Sequence, residues 1–361
     1  MCQLHAPLDA ARSDAFAGRM VAALNEAAMV AMTSIGHRTG LLDALAGVRD
    51  ATSAELAAAT GLDERYVREW LAAMATAAVL ELDAPSGRYR LPPEHAAWLT
   101  RACAPDNIAV TTQYLPLMGA VEDDVVRCFR EGGGVPYERF GRFHEVMAED
   151  SDQTVVGALE EVILPLAPGL VARLEAGIDV LDLGCGRGRA LVRLAARFPR
   201  SAFTGYDLSP DAVGFGAARA ADLGLGNLRF AVRDLIDYDA TAEPEAFDLV
   251  TTFDAVHDQP RPGALLAGIR RTLRPDGLYL MQDIRAATAV HENADHPLGT
   301  MLYAVSLMHC MTVSLAQGGE GLGTMWGEQK ARELLAAAGF GSVEVHHLEH
   351  DPTNAYYVAR P

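Results

Sequence analysis

The segment Val180-Leu-Asp-Leu-Gly-Cys-Gly-Arg-Gly-Arg-Ala190 constrains the fold more than any other part of this chain. It reads as a buried strand, a glycine turn and the start of a helix. Glycines at 184, 186 and 188 let backbone approach a ligand closely, and a helix N-terminus offers free N–H groups. Apolar runs of strand length then alternate with helical ones: Asp179–Leu183, Phe203–Tyr206, Leu228–Val232, Phe247–Thr252 and Leu278–Gln282. That alternation predicts an α/β fold, a parallel sheet with helices on both faces. Val343–His347 and Ala355–Ala359 have no room for a crossover helix between them, so the last strand pair is expected to be antiparallel. A dinucleotide loop of the form GxGxxG needs its third glycine at 189, where this chain has Arg189. The nicotinamide reading fails on that spacing.

The pattern (D/E)xGxGxG, led by Asp182, resembles motif I of the class I S-adenosylmethionine (SAM) methyltransferases. Asp207 closes the next strand about 20 residues on, where it would accept hydrogen bonds from ribose hydroxyls. Asp234 follows the third strand, at the family position that bonds the adenine amino group, with Leu235 beside the ring. Phe247-Asp-Leu-Val-Thr-Thr-Phe253-Asp254 is similar to motif IV, and Arg274-Pro-Asp-Gly to the turn before strand five. The resemblance covers roughly residues 175–285 and implies a Rossmann-like seven-stranded domain. It also implies that Asp182, Gly184, Cys185, Gly186, Gly188, Asp207, Leu208, Asp234, Leu235, Phe253 and Asp254 hold SAM, leaving S-adenosylhomocysteine as product.

His257-Asp258 follows motif IV, at the carboxyl end of a parallel strand, where open α/β sheets bind ligands. A histidine there can deprotonate a hydroxyl. The pair is similar to the His-Asp-Trp segment of small-molecule O-methyltransferases, in which the histidine is the general base; here Gln259 replaces the tryptophan. An insertion, about Arg285–Gly327, carries a Met-rich helix with Met301, Tyr303, Met308, His309 and Met311. In the related families this segment leans over the substrate, which makes His309 a second candidate catalytic residue. Some 2-oxo acid C-methyltransferases of similar architecture bind iron through two histidines at these places, so metal-assisted C-methylation by His257 and His309 stands as an alternative. A carboxylate acceptor would need no base at all. Tyr114, Tyr137, Phe140 and His144 are candidates for a pocket wall. His291, His296, His346, His347 and His350 have no motif spacing and are expected at the surface.

Upstream, Asp14–Leu45 reads as one or two Ala-rich helices, with Phe16, Met20, Leu24, Ala27 and Met29 near helical spacing. Thr52 and Glu55 form a capping-box pattern, and Thr60-Gly61 ends that helix. Asp63 caps a second helix through Tyr66, Val67, Trp70, Leu71 and Met74, expected to form a packing surface. Two short strands about Ala-Pro-Ser-Gly complete the winged-helix order. The expected organisation is a winged-helix dimerisation domain at 1–104, a helical connector at 105–170 contributing to the substrate pocket, and the methyltransferase domain at 171–361. The related O-methyltransferases use the first of these to form homodimers.

A winged helix also suggests a DNA-binding regulator that binds SAM. The recognition-helix stretch Asp63-Glu-Arg-Tyr-Val-Arg-Glu-Trp carries three acids against two arginines, and the chain has a net charge of −18. Such a surface repels phosphate, so nucleic acid is not expected as the ligand. Cys2, Cys103, Cys128, Cys185 and Cys310 are odd in number and widely spaced, against a disulfide framework or structural zinc and for a reducing cytoplasm. The N-terminal stretch lacks a signal-peptide pattern, and no apolar run is expected to span a bilayer.

Overall fold

Each of the five apolar runs becomes a parallel strand, and the two terminal runs become an antiparallel pair. The computed structural model describes residues 8–361. It falls into two units, one ending at Pro116 and one running from Leu117 to Pro361. Residues 105–116 thus pack with the N-terminal unit, and the rest of the expected connector with the C-terminal one. Cys2, with the rest of residues 1–7, lies outside the described residues.

In the N-terminal unit, Asp9 caps helix Ala10–Thr39, which stops at left-handed Gly40. Phe16, Met20 and Leu24, at helical spacing, are exposed, and burial along this helix begins only at Thr33. Leu41–Ala46 and Ser53–Thr60 follow, the latter with the complete Thr52/Glu55 capping box. Helix Glu64–Thr76 starts at Asp63 and buries Val67, Trp70, Leu71 and Met74. Tyr66 is the exception to the expected packing surface, 81% exposed, since its position points off the buried stripe. Trp70 Nε1 donates to Met32 O at 2.8 Å, and a side chain on Gly36 would collide with the Trp70 ring. The hairpin β1 (Glu81–Asp83) and β2 (Arg88–Arg90) completes the winged-helix order.

The C-terminal unit is built on β3 (Asp179–Leu183), β4 (Ala202–Asp207), β5 (Leu228–Val232), β6 (Phe247–Phe253), β7 (Leu273–Ile284), β8 (Ser342–Leu348) and β9 (Asp351–Arg360). The sheet order is β5-β4-β3-β6-β7-β9-β8, with β9 antiparallel between β7 and β8. The order reverses at β3, so the carboxyl ends of β3, β4 and β6 open onto a crevice. Two apolar clusters cover the sheet faces, one around Leu265, Ile269 and Leu335, the other around Leu159, Leu191 and Phe198.

The insertion supplies a continuous run of helical turns, Gly299–Ala316, with a π-turn at Ser306–Cys310. This run corrects the expectation of no membrane-length apolar segment: its 18 residues have a mean hydropathy of 1.3 and no charged side chain. Here the apolar character serves packing, burying Leu302, Cys310 and Val313. Gly134 lies so close that a Cβ would overlap Thr312 O, and Val135 N donates to Thr312 Oγ1 at 2.8 Å. Ser314 Oγ donates to Gln259 O at 3.0 Å, and Glu320 N to Pro260 O at 2.9 Å. The insertion is thereby fastened to the loop after β6.

Candidate active site

Glycine supplies the geometry at the end of β3. Gly184, Gly186 and Gly188 all have left-handed φ (70°, 52° and 67°). A side chain on Gly188 would overlap the Phe230 ring, whereas the space beside Gly186 is open. Gly186 therefore borders the cleft, and Gly188 acts by letting Phe230 pack beneath the turn. Gly186 N donates to Asp207 Oδ2 at 2.8 Å and Ser209 N to Asp207 Oδ1 at 2.9 Å. The carboxylate at the tip of β4 thus holds the glycine turn as well as facing the cleft. Asp234 accepts from Ile236 N at 2.9 Å, which fixes the loop after β5.

The cleft wall gathers Gly184, Gly186, Asp207, Leu208, Asp234, Leu235, Phe253, Asp254 and Asp258, with about 780 Å³ of empty space including the open mouth. A second lobe is lined by Asp182, Cys185, Gly186, Phe253 and His144. Apart from Gly188, every expected cofactor residue reaches one of these two walls. An open glycine turn, acids after β4 and β5, and an apolar floor at Leu235 fit the sulfonium nucleoside SAM.

Asp182 is 3% exposed and accepts from Thr251 Oγ1 at 2.8 Å. Burial pushes its carboxyl up to about 7 despite that hydrogen bond. A carboxyl raised in the fold favours folding at low pH, and this contribution is lost as pH rises from the ordinary 3.8 toward 7. Asp182→Asn keeps an acceptor for Thr251 and removes the titration. The cofactor-free variant should be more stable than the parent at pH 8 by on the order of 2 kcal/mol, with the gap closing toward pH 4. Urea unfolding at the two pH values checks this, and an unchanged gap would reject it.

The far side of the cleft is a buried polar cluster. His257 Nδ1 lies 2.7 Å from Asp283 Oδ1, and Nε2 3.2 Å from Asp258 Oδ1. Asp283 Oδ1 also accepts from Trp326 Nε1 at 2.9 Å and Ile284 N at 2.8 Å. Burial pulls His257 down, but Asp283 and Asp258 outweigh it and leave the imidazole well above its usual pKa. Cys310 reaches His257 as well, and burial pushes its thiol up to about 12. Asp254, at φ 51° on the tip of β6, is raised by burial and by Asp283. Gln259, at the tryptophan position of the resemblance, turns its Nε2 onto Ala255 O at 3.0 Å.

His309 is 2% exposed. Its ring stacks on Phe143 at 3.6 Å and meets the edges of Phe140 and Tyr137. Nδ1 lies 4.0 Å from Asp258 Oδ2, neither nitrogen has a hydrogen-bond partner, and burial lowers its pKa to about 4. Among the described residues, the ligand-type side chains gathered within 4.8 Å are His257–Asp258–Cys310 and Asp254–His257–Asp283. His309 belongs to neither group, and approaches the cluster through Asp258, whose Oδ2 lies 4.0 Å from its Nδ1. The π-turn explains how adjacent His309 and Cys310 are both buried. Of the aromatic candidates, Tyr137 and His144 line the cleft, Phe140 backs it, and Tyr114 belongs to the N-terminal unit.

Sequence reasoning missed Asp283, which carries no motif and lies at the end of β7, and Trp326, far along the chain in the insertion. Only the register of β7 beside β6 brings Asp283 under His257.

Residues 27–101 match a family model described as a Rv2258c-like winged HTH domain, and residues 174–339 one described as a methyltransferase domain. Curated relatives include a probable phthiotriol/phenolphthiotriol dimycocerosates methyltransferase of Mycobacterium ulcerans, 32% identical over 32% of this chain and 43% of that protein. A fatty-acid O-methyltransferase of Mycolicibacterium smegmatis is 33% identical over 34% and 44% of the two chains. The chain therefore spans less than half the length of these two relatives. Human N-acetylserotonin methyltransferase in complex with SAM shares the fold at a TM-score of 0.67 and 19% identity, over 99% of each chain. The mitomycin 7-O-methyltransferase does so at 0.66 and 17%, over 97% and 99%.

Proposed function

We propose, for a chain that carries a winged helix-turn-helix domain and a methyltransferase domain of the SAM-dependent fold, that it moves a methyl group from SAM to an oxygen of a small molecule. One observation carries this reading. A single cleft has the nucleoside-type wall of Gly186, Asp207, Asp234 and Leu235 on one side and the His257–Asp258 cluster at the other. When bound, SAM supplies an electrophilic methyl on a sulfonium. The protein's part is to hold the acceptor oxygen in line, exclude water and take its proton. Asp207 and Asp234 present acceptors for ribose and adenine, Leu235 and Phe253 present apolar surface, and Tyr137, Phe143 and Val313 close the acceptor side. His257 and Asp258 form the unit that takes the proton.

The fit to an oxygen acceptor is supported by the relatives named O-methyltransferases, including a nocamycin O-methyltransferase of Saccharothrix syringae, 37% identical over 28% of this chain. The rival reading is metal-assisted C-methylation of a 2-oxo acid through His257 and His309. A homodimer held by the N-terminal unit agrees with the exposed apolar residues Phe16, Met20, Val21 and Leu24 on its first helix. Small-molecule chemistry rather than DNA binding agrees with helix Glu64–Thr76, where Arg65 and Arg68 are paired with Glu69 and Glu64. The cytoplasm is the proposed location.

The test is release of S-adenosylhomocysteine against phenols, carboxylates, 2-oxo acids and thiols, each with and without chelator. Turnover of a hydroxyl acceptor that ignores chelator is the expected result. Turnover restricted to a 2-oxo acid and abolished by chelator would replace this reading with the rival.

A further inference from the structure

Among the described residues, the cleft wall sets four acids, Asp207, Asp234, Asp254 and Asp258, against a single arginine, Arg233. Arg233 Nη2 donates to Thr241 O at 3.0 Å and Thr241 Oγ1 at 3.1 Å, and its guanidinium lies over the rings of Tyr206 and Tyr238. That cation is thereby taken up beside the loop after β5. Burial holds the His144 imidazole below its usual pKa, so it adds no charge at neutral pH. A carboxylate acceptor would lose its water against acids, with no protein cation to replace it.

Two glutamines supply what the wall offers instead. Gln259 follows Asp258 in the loop after β6, and Gln317 caps helix Met311–Ala316. Both are half-buried and line the cleft. Gln259 Nε2 donates to Ala255 O at 3.0 Å, and Gln317 Nε2 to Val313 O at 3.3 Å. A carbonyl oxygen accepts only from the NH₂ end of an amide, so each side chain has its Oε1 left over. No hydrogen bond among the described residues takes up either oxygen. The segments that carry the two amides are bound to each other. Ser314 Oγ donates to Gln259 O, Glu320 N to Pro260 O, and a Cβ on Gly319 would overlap Pro260 Cα.

We propose that Gln259 and Gln317 are specificity-determining residues that select an uncharged acceptor carrying an O–H or N–H donor besides the hydroxyl that is methylated. This rests on the reading of the chain as an oxygen methyltransferase of small molecules. The second donor meets a glutamine oxygen, while the hydroxyl to be methylated stays with the His257–Asp258 unit. An analogue without that donor displaces water and leaves the amide oxygen unpaired, which is the source of the discrimination. Position 259 shows the change of character most plainly. A tryptophan there, as in the resemblance, would present only an N–H donor, whereas Gln259 presents an acceptor.

The experiment uses full-length protein and the probes catechol, phenol and benzoate. Calorimetry reads their binding to protein saturated with S-adenosylhomocysteine, and release of S-adenosylhomocysteine from SAM reads kcat/KM. The parent should prefer catechol to phenol by about ten-fold or more in both readouts, beyond the statistical factor of about two from a second hydroxyl. Benzoate should not bind. Gln259→Leu and Gln317→Leu should each cut the catechol-to-phenol ratio by about three- to ten-fold, with the SAM Kd held within about two-fold. Gln317→Glu keeps an acceptor oxygen and should hold the ratio within about two-fold of the parent, which separates the hydrogen bond from packing. Equal ratios in the parent and both leucine variants, or benzoate bound as tightly as catechol, would overturn the assignment. So would failure of all the probes to bind beside a normally bound S-adenosylhomocysteine. Catechol bound with the expected preference but never methylated would instead overturn the oxygen-methyltransferase reading and leave the role of the two glutamines in binding standing.

Discussion

Asp283→Ala should destabilise the C-terminal unit by about 3–5 kcal/mol, the usual cost of removing one member of a buried ion pair. Asp283 is 0% exposed and its Oδ1 serves His257 Nδ1, Trp326 Nε1 and Ile284 N together. Alanine leaves all three donors facing a gap that water enters only by opening the core. For a unit of this size the loss corresponds to a fall in Tm of roughly 10 °C. The pH dependence gives a sharper check. His257 is raised in the fold, so the stability it contributes is fully present below about 6.5 and fades as pH rises through its folded pKa. Without Asp283 that pKa falls, and the deficit of the variant should be widest near pH 6 and narrow at alkaline pH. Thermal unfolding across that range decides it, and a deficit independent of pH would mean that packing rather than the ion pair is what Asp283 supplies.

Asp207→Ala should weaken SAM binding by about 100-fold or more, on the order of 3 kcal/mol. Two effects add. The variant lacks the cleft-facing acceptor for ribose hydroxyls, and it also frees Gly186 N and Ser209 N, which the carboxylate holds at 2.8 and 2.9 Å. The glycine turn then keeps only its backbone bonds from Gly184 and Cys185 to Tyr206 O on β4, so the ligand must order Gly186 on binding. Asp207→Asn retains one carbonyl acceptor and should lose less, about ten-fold. Titration calorimetry with SAM and with S-adenosylhomocysteine measures both. Equal affinities for parent and alanine variant would remove Asp207 from the cofactor wall.

Much of the fold was legible because its signals are local. A parallel strand buried on both faces is a short apolar run, and β3 coincides with the run Asp179–Leu183, while the edge strand β5 still falls on the run Leu228–Val232. The Thr52/Glu55 box and left-handed Gly61 bound their helix as the residue types require. The cofactor wall was legible for the same reason, since its residues sit at strand ends or in the turns that follow, at fixed distances from the glycine turn. The helical spacing of Phe16, Met20 and Leu24 predicted their helix but not their exposure, because spacing shows which residues share a face and not whether anything covers it. The apolar run 299–316 was overlooked because its residues are spread around a helix that packs on several sides.

By itself, the sequence determined a parallel sheet with a glycine turn at its centre, acids at the ends of β4 and β5, and a histidine–aspartate pair beyond β6. Each of these depends on residues close together in the chain, where backbone conformation follows from residue type. Only the tertiary structure decided that His257 lies behind the cleft wall and Asp258 on it. Asp283 reaches His257 from 26 positions away in the chain, and Trp326 reaches Asp283 from 43, through the pairing of β6 with β7 and the folding of the insertion. Proximity to those carboxylates, a property of the packed unit rather than of any motif, is what raises the pKa of the ring.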